Sequence, residues 1–315
     1  MTPPSLEMLA ERLAAAGVAV ERDVPVSGLT TYHVGGPVSV LARVGSAATL
    51  AALAAVVADE RPPLLAIGRG SNLLVADTGF AGLGLQLEGE FEAVDLDGEP
   101  GVVRAGGAVP LPVLARRTAA AGRSGLEFYV GIPGSVGGAV RMNAGGHGRE
   151  TADVLVGADV IDLAAGGLPS VRPLEALSFG YRRSALTATE LVTAASFRVA
   201  SGAVDDCEAA VAEIVRWRRE HQPGGANAGS VFSNPPGDSA GRIIDAAGLK
   251  GVRVGGAVVS EKHANFFQAE AGATADVVRR LVLEVQRRVL DGTGVHLVPE
   301  LRMVGFEAPV PGPRP

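Results

Sequence analysis

The sequence of 315 residues is poor in aromatic side chains, at 4% of the total, and holds one cysteine, Cys207. One cysteine excludes an internal disulfide and a cysteine-rich metal cluster, and it fits a reducing compartment. It falls in a helical stretch and reads as packing rather than as a nucleophile. The histidines at 33, 147, 221, 263 and 296 are scattered, none paired with a second histidine or a glutamate on one helix face, so no metal site is predicted. No Gly-x-Ser-x-Gly elbow occurs; the nearest string, Gly134-Ser135-Val136-Gly137, lacks the spacing of a hydrolase serine. Lysine and arginine number 28 against 34 acidic residues, a formal charge of −6 without the basic footprint that nucleic-acid binding needs. No apolar run reaches the ~18 residues of a membrane span. Met1-Thr2-Pro3-Pro4-Ser5 has no basic segment leading into an apolar one. Neither a nucleic acid nor a membrane is an expected partner, and the expected location is the cytoplasm.

What the chain has in quantity is glycine, 43 residues, within a 47% hydrophobic composition. Cores of Ala, Val and Leu follow, and the length exceeds the roughly 250–300 residues at which a single core stops growing, so more than one domain is expected. The most informative glycines lie in two loops, Gly68-Arg69-Gly70-Ser71-Asn72 and Gly131-Ile132-Pro133-Gly134-Ser135-Val136-Gly137-Gly138. Glycine lets main-chain N–H groups close on a phosphate, since it tolerates positive φ and has no Cβ to hold the ligand away. Two such loops imply a long, bent ligand such as a dinucleotide. Leu64–Ile67 reads as a strand entering the first loop and Leu73–Val75 as a strand leaving it. A Rossmann unit or a P-loop needs strand-loop-helix, with a helix N-terminus at the pyrophosphate, and neither pattern fits. Asn143-Ala144-Gly145-Gly146, after the second loop, favours ligand binding over glycines that merely make tight turns.

Along the chain, Ser5 to Ala16 reads as a helix with Ser5 as N-cap and Gly17 as stop. Residues 28–44 suggest a hairpin around Gly35-Gly36-Pro37, and Ala47 to Asp59 a second helix. Short strands follow at 94–96, 102–105, 154–156, 159–163 and 191–194, interrupted by a helix from Leu111 to Ala121. Val204 to Glu220 is an amphipathic helix and a new domain is placed near residue 200. Beyond it come helices at 239–247 and 275–291, strands near 257–259, 264–268 and 301–305, and a proline-rich tail at 309–315 expected to be disordered.

Six strings occur in order: Thr31-Tyr32-His33-Val34-Gly35-Gly36-Pro37, Gly68–Leu74, Gly131–Gly138, Tyr181-Arg182-x-Ser184, Ala228-Gly229-Ser230-Val231-Phe232-x-Asn234-Pro235, and Pro299-Glu300. From about residue 25 to 306, their order and spacing resemble the bacterial UDP-N-acetylenolpyruvoylglucosamine reductases, flavoenzymes also called UDP-N-acetylmuramate dehydrogenases. The resemblance implies an α+β chain of the vanillyl-alcohol-oxidase-type FAD-binding fold with a C-terminal α+β substrate-binding domain. Residues 1–62 would form a first FAD-binding subdomain, with a strand from 296–308 returning to it. Residues 63–199 would form the second subdomain and 200–295 the substrate domain. It implies non-covalent FAD held by Thr31, Gly68, Arg69, Gly70, Ser71, Asn72, Gly131, Pro133, Gly134, Ser135, Gly137, Gly138, Asn143 and Gly145. Tyr181, Arg218 and Asn234 match substrate contacts, and Arg182, Ser230 and Glu300 match the catalytic positions. The short span between Arg182 and Ser230 leaves little room for the tyrosine-bearing loop of some members, so this resembles the shorter type.

The implied chemistry is reduction of a UDP-sugar enolpyruvyl ether with NADPH as hydride donor, in peptidoglycan synthesis, by a monomer; written in reverse, NADP+ is the acceptor. Hydride delivery to the methylene carbon leaves carbanion or enediolate character beside a carboxylate. Arg182 can hold that carboxylate with its fixed fork of donors. Glu300 must carry or share a proton to assist there, and Ser230 can donate the proton that quenches the carbon. The family commonly has lysine where Ser233 stands and a lysine or similar base near His221, so a diphosphate contact is expected to move to Arg218, Arg219 or another residue; His147 stands where tyrosine is frequent, and its role is open. Read without the resemblance, Arg182 and Glu300 make an ion pair and Ser230 caps a turn. An FAD-dependent oxidase of the same fold, and a flavin or nucleotide-sugar binding protein without turnover, are the alternative functions.

Overall fold

The computed structural model describes residues 3–306, which cluster into two compact units threaded by one chain. The first comprises residues up to Asp23, Ser39–Ser71 and Gly82–Gly224; the second comprises Val24–Val38, Asn72–Ala81 and the chain from Gly225 onward. The expected tail at 309–315 lies outside the described residues.

The first unit holds two apolar cores. One gathers Leu9, Leu13, Val40, Leu50, Leu53 and Leu83 between the helices Pro3–Ala15 and Ala47–Glu60 and a four-stranded sheet ordered Ala19–Pro25, Pro37–Val44, Phe80–Leu87, Leu64–Ala66. The first helix begins two residues before Ser5, so Ser5 is not its cap; proline is tolerated at a helix start because its missing N–H would be unsatisfied anyway. The second helix is capped by Ser46, whose Oγ accepts from Thr49 N at 3.2 Å. The other core, with Leu111, Leu114, Tyr129, Val136, Leu155 and Phe197, is covered by an antiparallel sheet ordered Ser170–Pro173, Leu155–Asp162, Glu190–Arg198, Val102–Gly106, Val94–Asp95. The strands expected at 154–156 and 159–163 are one strand, bulged between Leu155 and Gly157 and between Asp159 and Val160. Helix Val204–His221 buries Cys207 and Val211 in this same core, which joins it to the residues before it; the unit ends at 224 where the sequence placed a boundary near 200.

The second unit is built around the 19-residue helix Ala275–Thr293, whose Val278, Leu281, Val282, Val285 and Val289 are fully buried. They pack with the sheet Arg253–Val254, Ala257–Val259, Phe267–Ala269 and with Tyr32, Leu74 and Leu301. Strand Arg302–Val304 pairs in parallel with Leu73–Val75, not with residues 1–62 to which it was expected to return. The hairpin expected over 28–44 is absent: Gly36 N donates to Ala76 O at 2.9 Å, and a Cβ on Gly36 would lie 2.2 Å from Asp77 O. The glycines there permit close approach of a distant segment rather than a tight reversal. The strand expected at 264–268 begins three residues later, and strand Phe80–Leu87 was not anticipated.

Candidate active site

The two glycine loops meet within the first unit. A Cβ on Gly68 would lie 2.5 Å from Ser135 Oγ, closer than real Cβ contacts allow, so a larger residue there would force Ser135 or its loop to shift. The second loop is fixed by a bridge in which Leu111 N donates to Gly134 O at 2.9 Å and Val136 N to Val109 O at 3.0 Å. Ser135 caps the short helix Val136–Met142 by accepting from Gly138 N at 3.4 Å, and Gly137 N donates to Gly107 O at 2.8 Å. The amides of Gly137 and Gly138, expected to face the cofactor, are therefore used internally, because the loop opens into a helix that was not foreseen. Among the described residues, the amides of Gly68, Arg69, Gly70, Ser71 and Asn72 donate to no protein acceptor, nor do those of Gly134 and Ser135. A run of unpaired amides is unfavourable unless solvent or a ligand completes it.

In the second unit, Thr30 Oγ1, Thr31 Oγ1 and Tyr32 Oη are buried without a hydrogen-bond partner. Burial pushes the Tyr32 phenol well above its usual range, so it stays a protonated donor. The three consecutive orphaned hydroxyls leave donors for a polar ligand at the second unit. Within the first unit, the bare amides fit a diphosphate.

Ser230 and Glu300 come together in the second unit. Gly229, at φ +72°, donates its N–H to Asn227 Oδ1 at 3.0 Å and turns the chain into Ser230. Val231 O then accepts from Glu300 N at 2.8 Å, and Phe232 pairs with Pro299, so the serine and the glutamate sit on adjoining segments. On the other side Ser230 pairs with Phe266. Asn265, 2% exposed, brackets the next peptide: its Oδ1 accepts from Phe232 N at 2.9 Å and its Nδ2 donates to Phe232 O at 2.8 Å. The sequence reading missed Asn265; the signal was a polar side chain inside the apolar run Ala264–Phe267. Asn72 Nδ2 donates to Glu300 O at 3.1 Å, so the end of the first glycine loop touches the glutamate's main chain.

Arg182 lies in the first unit and has φ +55°, a left-handed backbone uncommon outside glycine. Its Nη2 donates to Gly145 O at 3.1 Å and its guanidinium lies 4.9 Å from the centre of the half-exposed Tyr181 ring. Asn143, expected among the cofactor contacts, is fully buried; its Nδ2 donates to Gly180 O at 3.2 Å and its Oδ1 accepts from Ala152 N at 2.9 Å. Its side chain thus supports the Tyr181-Arg182 turn. Arg218 is half-buried, with Nε bonded to Gln222 Oε1 at 2.8 Å; burial lowers its basicity without abolishing its charge. The His147 ring stands edge-on to Trp217 at 5.0 Å, and Trp217 stacks on His221 at 4.6 Å. Burial, and then the nearby Arg218, hold His147 below the usual histidine range. Asn234 is exposed, and its Oδ1 accepts from Ala240 N at 3.0 Å.

Residues 38–171 match the model of an FAD binding domain, and residues 221–304 that of the UDP-N-acetylenolpyruvoylglucosamine reductase C-terminal domain. The chain is 42% identical to the UDP-N-acetylenolpyruvoylglucosamine reductase of Synechococcus sp. (strain WH7803), over 92% of this chain and 94% of that protein. The chain belongs to the UDP-N-acetylenolpyruvoylglucosamine reductase family. The reductase of Paramagnetospirillum magneticum is 43% identical, over 90% of this chain and 91% of its own. The crystal structure of the Thermus caldophilus reductase, at 39% identity, superimposes with a TM-score of 0.79, covering 91% of this chain and 99% of that one. The α+β architecture with an FAD-binding part and a separate C-terminal domain is that of the reductase family, as the ordered motifs implied.

Proposed function

We propose that the protein reduces the enolpyruvyl ether of a UDP-N-acetylglucosamine enolpyruvate to UDP-N-acetylmuramate, with FAD as cofactor and NADPH as hydride donor. The observation that carries this reading is the meeting of Ser230 and Glu300 on hydrogen-bonded segments, in a chain that aligns with named reductases over nine-tenths of its length. FAD, when bound, supplies the carrier that accepts hydride from a nicotinamide and passes it to carbon.

The chain's own residues account for binding and protons. Gly68–Asn72 and Gly134–Ser135 would hold the diphosphate through their main-chain amides, and the unpartnered Thr31 hydroxyl is available to a polar ligand. Arg182 presents its fork to the substrate carboxylate; the carbonyl of Gly145 and the Tyr181 ring orient it before substrate arrives, which strengthens its hold on developing negative charge. Glu300, in its protonated form, donates a hydrogen bond to the substrate. Ser230 Oγ delivers its proton to the adjacent carbon, positioned by the main-chain bracket around Val231 and Phe232. Asn234 provides a donor for the substrate's polar groups. The protein acts as a cytoplasmic monomer, and no helix among the described residues is long and apolar enough to cross a membrane.

Rapid mixing separates the two half-reactions. Ser230→Ala should retain flavin reduction by NADPH and lose reoxidation by the enolpyruvyl substrate by roughly 10²-fold or more, the usual weight of a positioned proton donor. Equal loss in both halves would remove Ser230 from the proton-transfer role, and a purified protein that takes up no FAD would end the flavoenzyme reading.

A further inference from the structure

Glu300 is gripped at both of its peptide groups. Its N–H donates to Val231 O at 2.8 Å, next to Ser230, and its C=O accepts from Asn72 Nδ2 at 3.1 Å. Asn72 also accepts, through its own C=O, from Arg302 N at 3.1 Å, so one residue bonds on either side of Leu301 in the manner of a strand partner. The pairing continues as the parallel ladder Leu73–Arg302, Leu74–Met303, Val75–Val304. Asn72 is also the last residue of the glycine loop whose consecutive amides lack protein acceptors. Its side chain is therefore turned toward the acid while its main-chain N–H belongs to the cradle.

We infer that Asn72 is a positioning residue that transmits order from the cofactor cradle to Glu300: filling the cradle immobilises residues 68–72, and the Asn72 amide then fixes the depth of the acid's main chain. The two bonds to Asn72 leave the Glu300–Arg302 segment no independent freedom, and the bond from Glu300 N to Val231 O carries the same register to Ser230. Asn72→Ala keeps the cradle's main-chain donors and the bond to Arg302 N while removing the tether on Glu300. Asn72→Asp sets a carboxylate oxygen against the Glu300 carbonyl where a donor is needed. The inference rests on the proposed role of Glu300.

Two measurements on the full-length holoenzyme test it. Hydrogen exchange of the peptide spanning residues 297–304 should slow on FAD binding in the wild type and respond much less in Asn72→Ala, with FAD affinity held within about threefold because the amides remain. In stopped-flow mixing, Asn72→Ala and Asn72→Asp should slow the substrate half-reaction by about 10- to 100-fold, the range expected for misplacing a catalytic group by up to an ångström, with NADPH reduction changed less than about twofold. In a Glu300→Gln background Asn72→Ala should add less than about twofold, since the residue it positions is already disabled. Unchanged exchange at 297–304, or effects of the two substitutions that multiply, overturns the positioning role while leaving Glu300 in place. Glu300→Gln without effect on the substrate half-reaction overturns the assignment of Glu300 itself, and this inference with it.

Discussion

Gly68→Ala puts the glycine-loop reading at direct risk. The new Cβ would stand 2.5 Å from Ser135 Oγ, about 0.9 Å inside the 3.4 Å at which ordinary contact begins. Two responses are open. Ser135 can rotate away, abandoning its cap on Gly138 N at a cost of about 1 kcal/mol, or the loops can separate and misplace amides meant for the diphosphate. A hydrogen bond to a charged oxygen contributes about 1.5–3 kcal/mol. Losing one raises the FAD dissociation constant by about 10- to 150-fold, at 1.4 kcal/mol per factor of ten. The assay is flavin fluorescence quenching on titration of deflavinated protein. The decisive arm is the double variant Gly68→Ala, Ser135→Ala: with the oxygen gone the nearest atom is the Ser135 Cβ at 3.5 Å, an ordinary contact. Its FAD affinity should return to within about threefold of Ser135→Ala alone. If Gly68→Ala binds FAD like the wild type and also keeps wild-type stability, or if it weakens binding and the double variant binds no better, the loops do not hold the cofactor together.

Asn265→Ala leaves Phe232 N–H and C=O buried without partners at about 1–3 kcal/mol each, so urea unfolding should show a loss near 3 kcal/mol; under about 1 kcal/mol would mean water or a neighbour replaces the bracket. His263 Nδ1 accepts from Asn265 N at 3.2 Å, and burial holds its pKa below the usual value of 6.5. The unfolded chain thus takes up this proton first, so the contribution is fully present above about pH 6.5 and is lost as pH falls through the folded value. Between pH 7.5 and 5.5 the wild type should therefore lose more melting temperature than His263→Gln, and equal losses would contradict the linkage. Asp77 Oδ1 and Oδ2 accept from Ala275 N and Asp276 N, both at 2.9 Å, so Asp77→Ala should cost about 1–2 kcal/mol of stability at the start of that helix. An Asp77→Asn variant recovering part of that loss in urea melts would separate the hydrogen bond from the charge.

Most regular elements were legible because their signals are local. Helix Ala275–Thr293 announces itself by apolar residues at helical spacing, and Leu64–Ala66 and Leu73–Val75 by short apolar runs beside a glycine turn. Gly35 and Gly36 misled because a glycine needed for close approach to a distant segment looks, in sequence, the same as one that makes a turn. Strand Phe80–Leu87 escaped notice because its glycines at 82 and 84 interrupt the alternation by which strands are recognised. Ser230, Glu300 and Arg182 were singled out through ordered motifs. Asn265 was not, since an asparagine in an apolar stretch declares a bracket only when the peptide it grips is known.

The amino-acid order by itself determined the chemistry on offer: glycine loops, an arginine, a hydroxyl and an acid. Tertiary structure decided which of those groups remain available. Gly137 and Gly138 lose their amides to Gly107 O and Ser135 Oγ, Asn143 turns its side chain inward, and Asn72 reaches across more than two hundred positions to the Glu300 carbonyl. The reason is physical: every buried donor must find an acceptor, and which acceptor it finds depends on segments whose proximity is created only by packing.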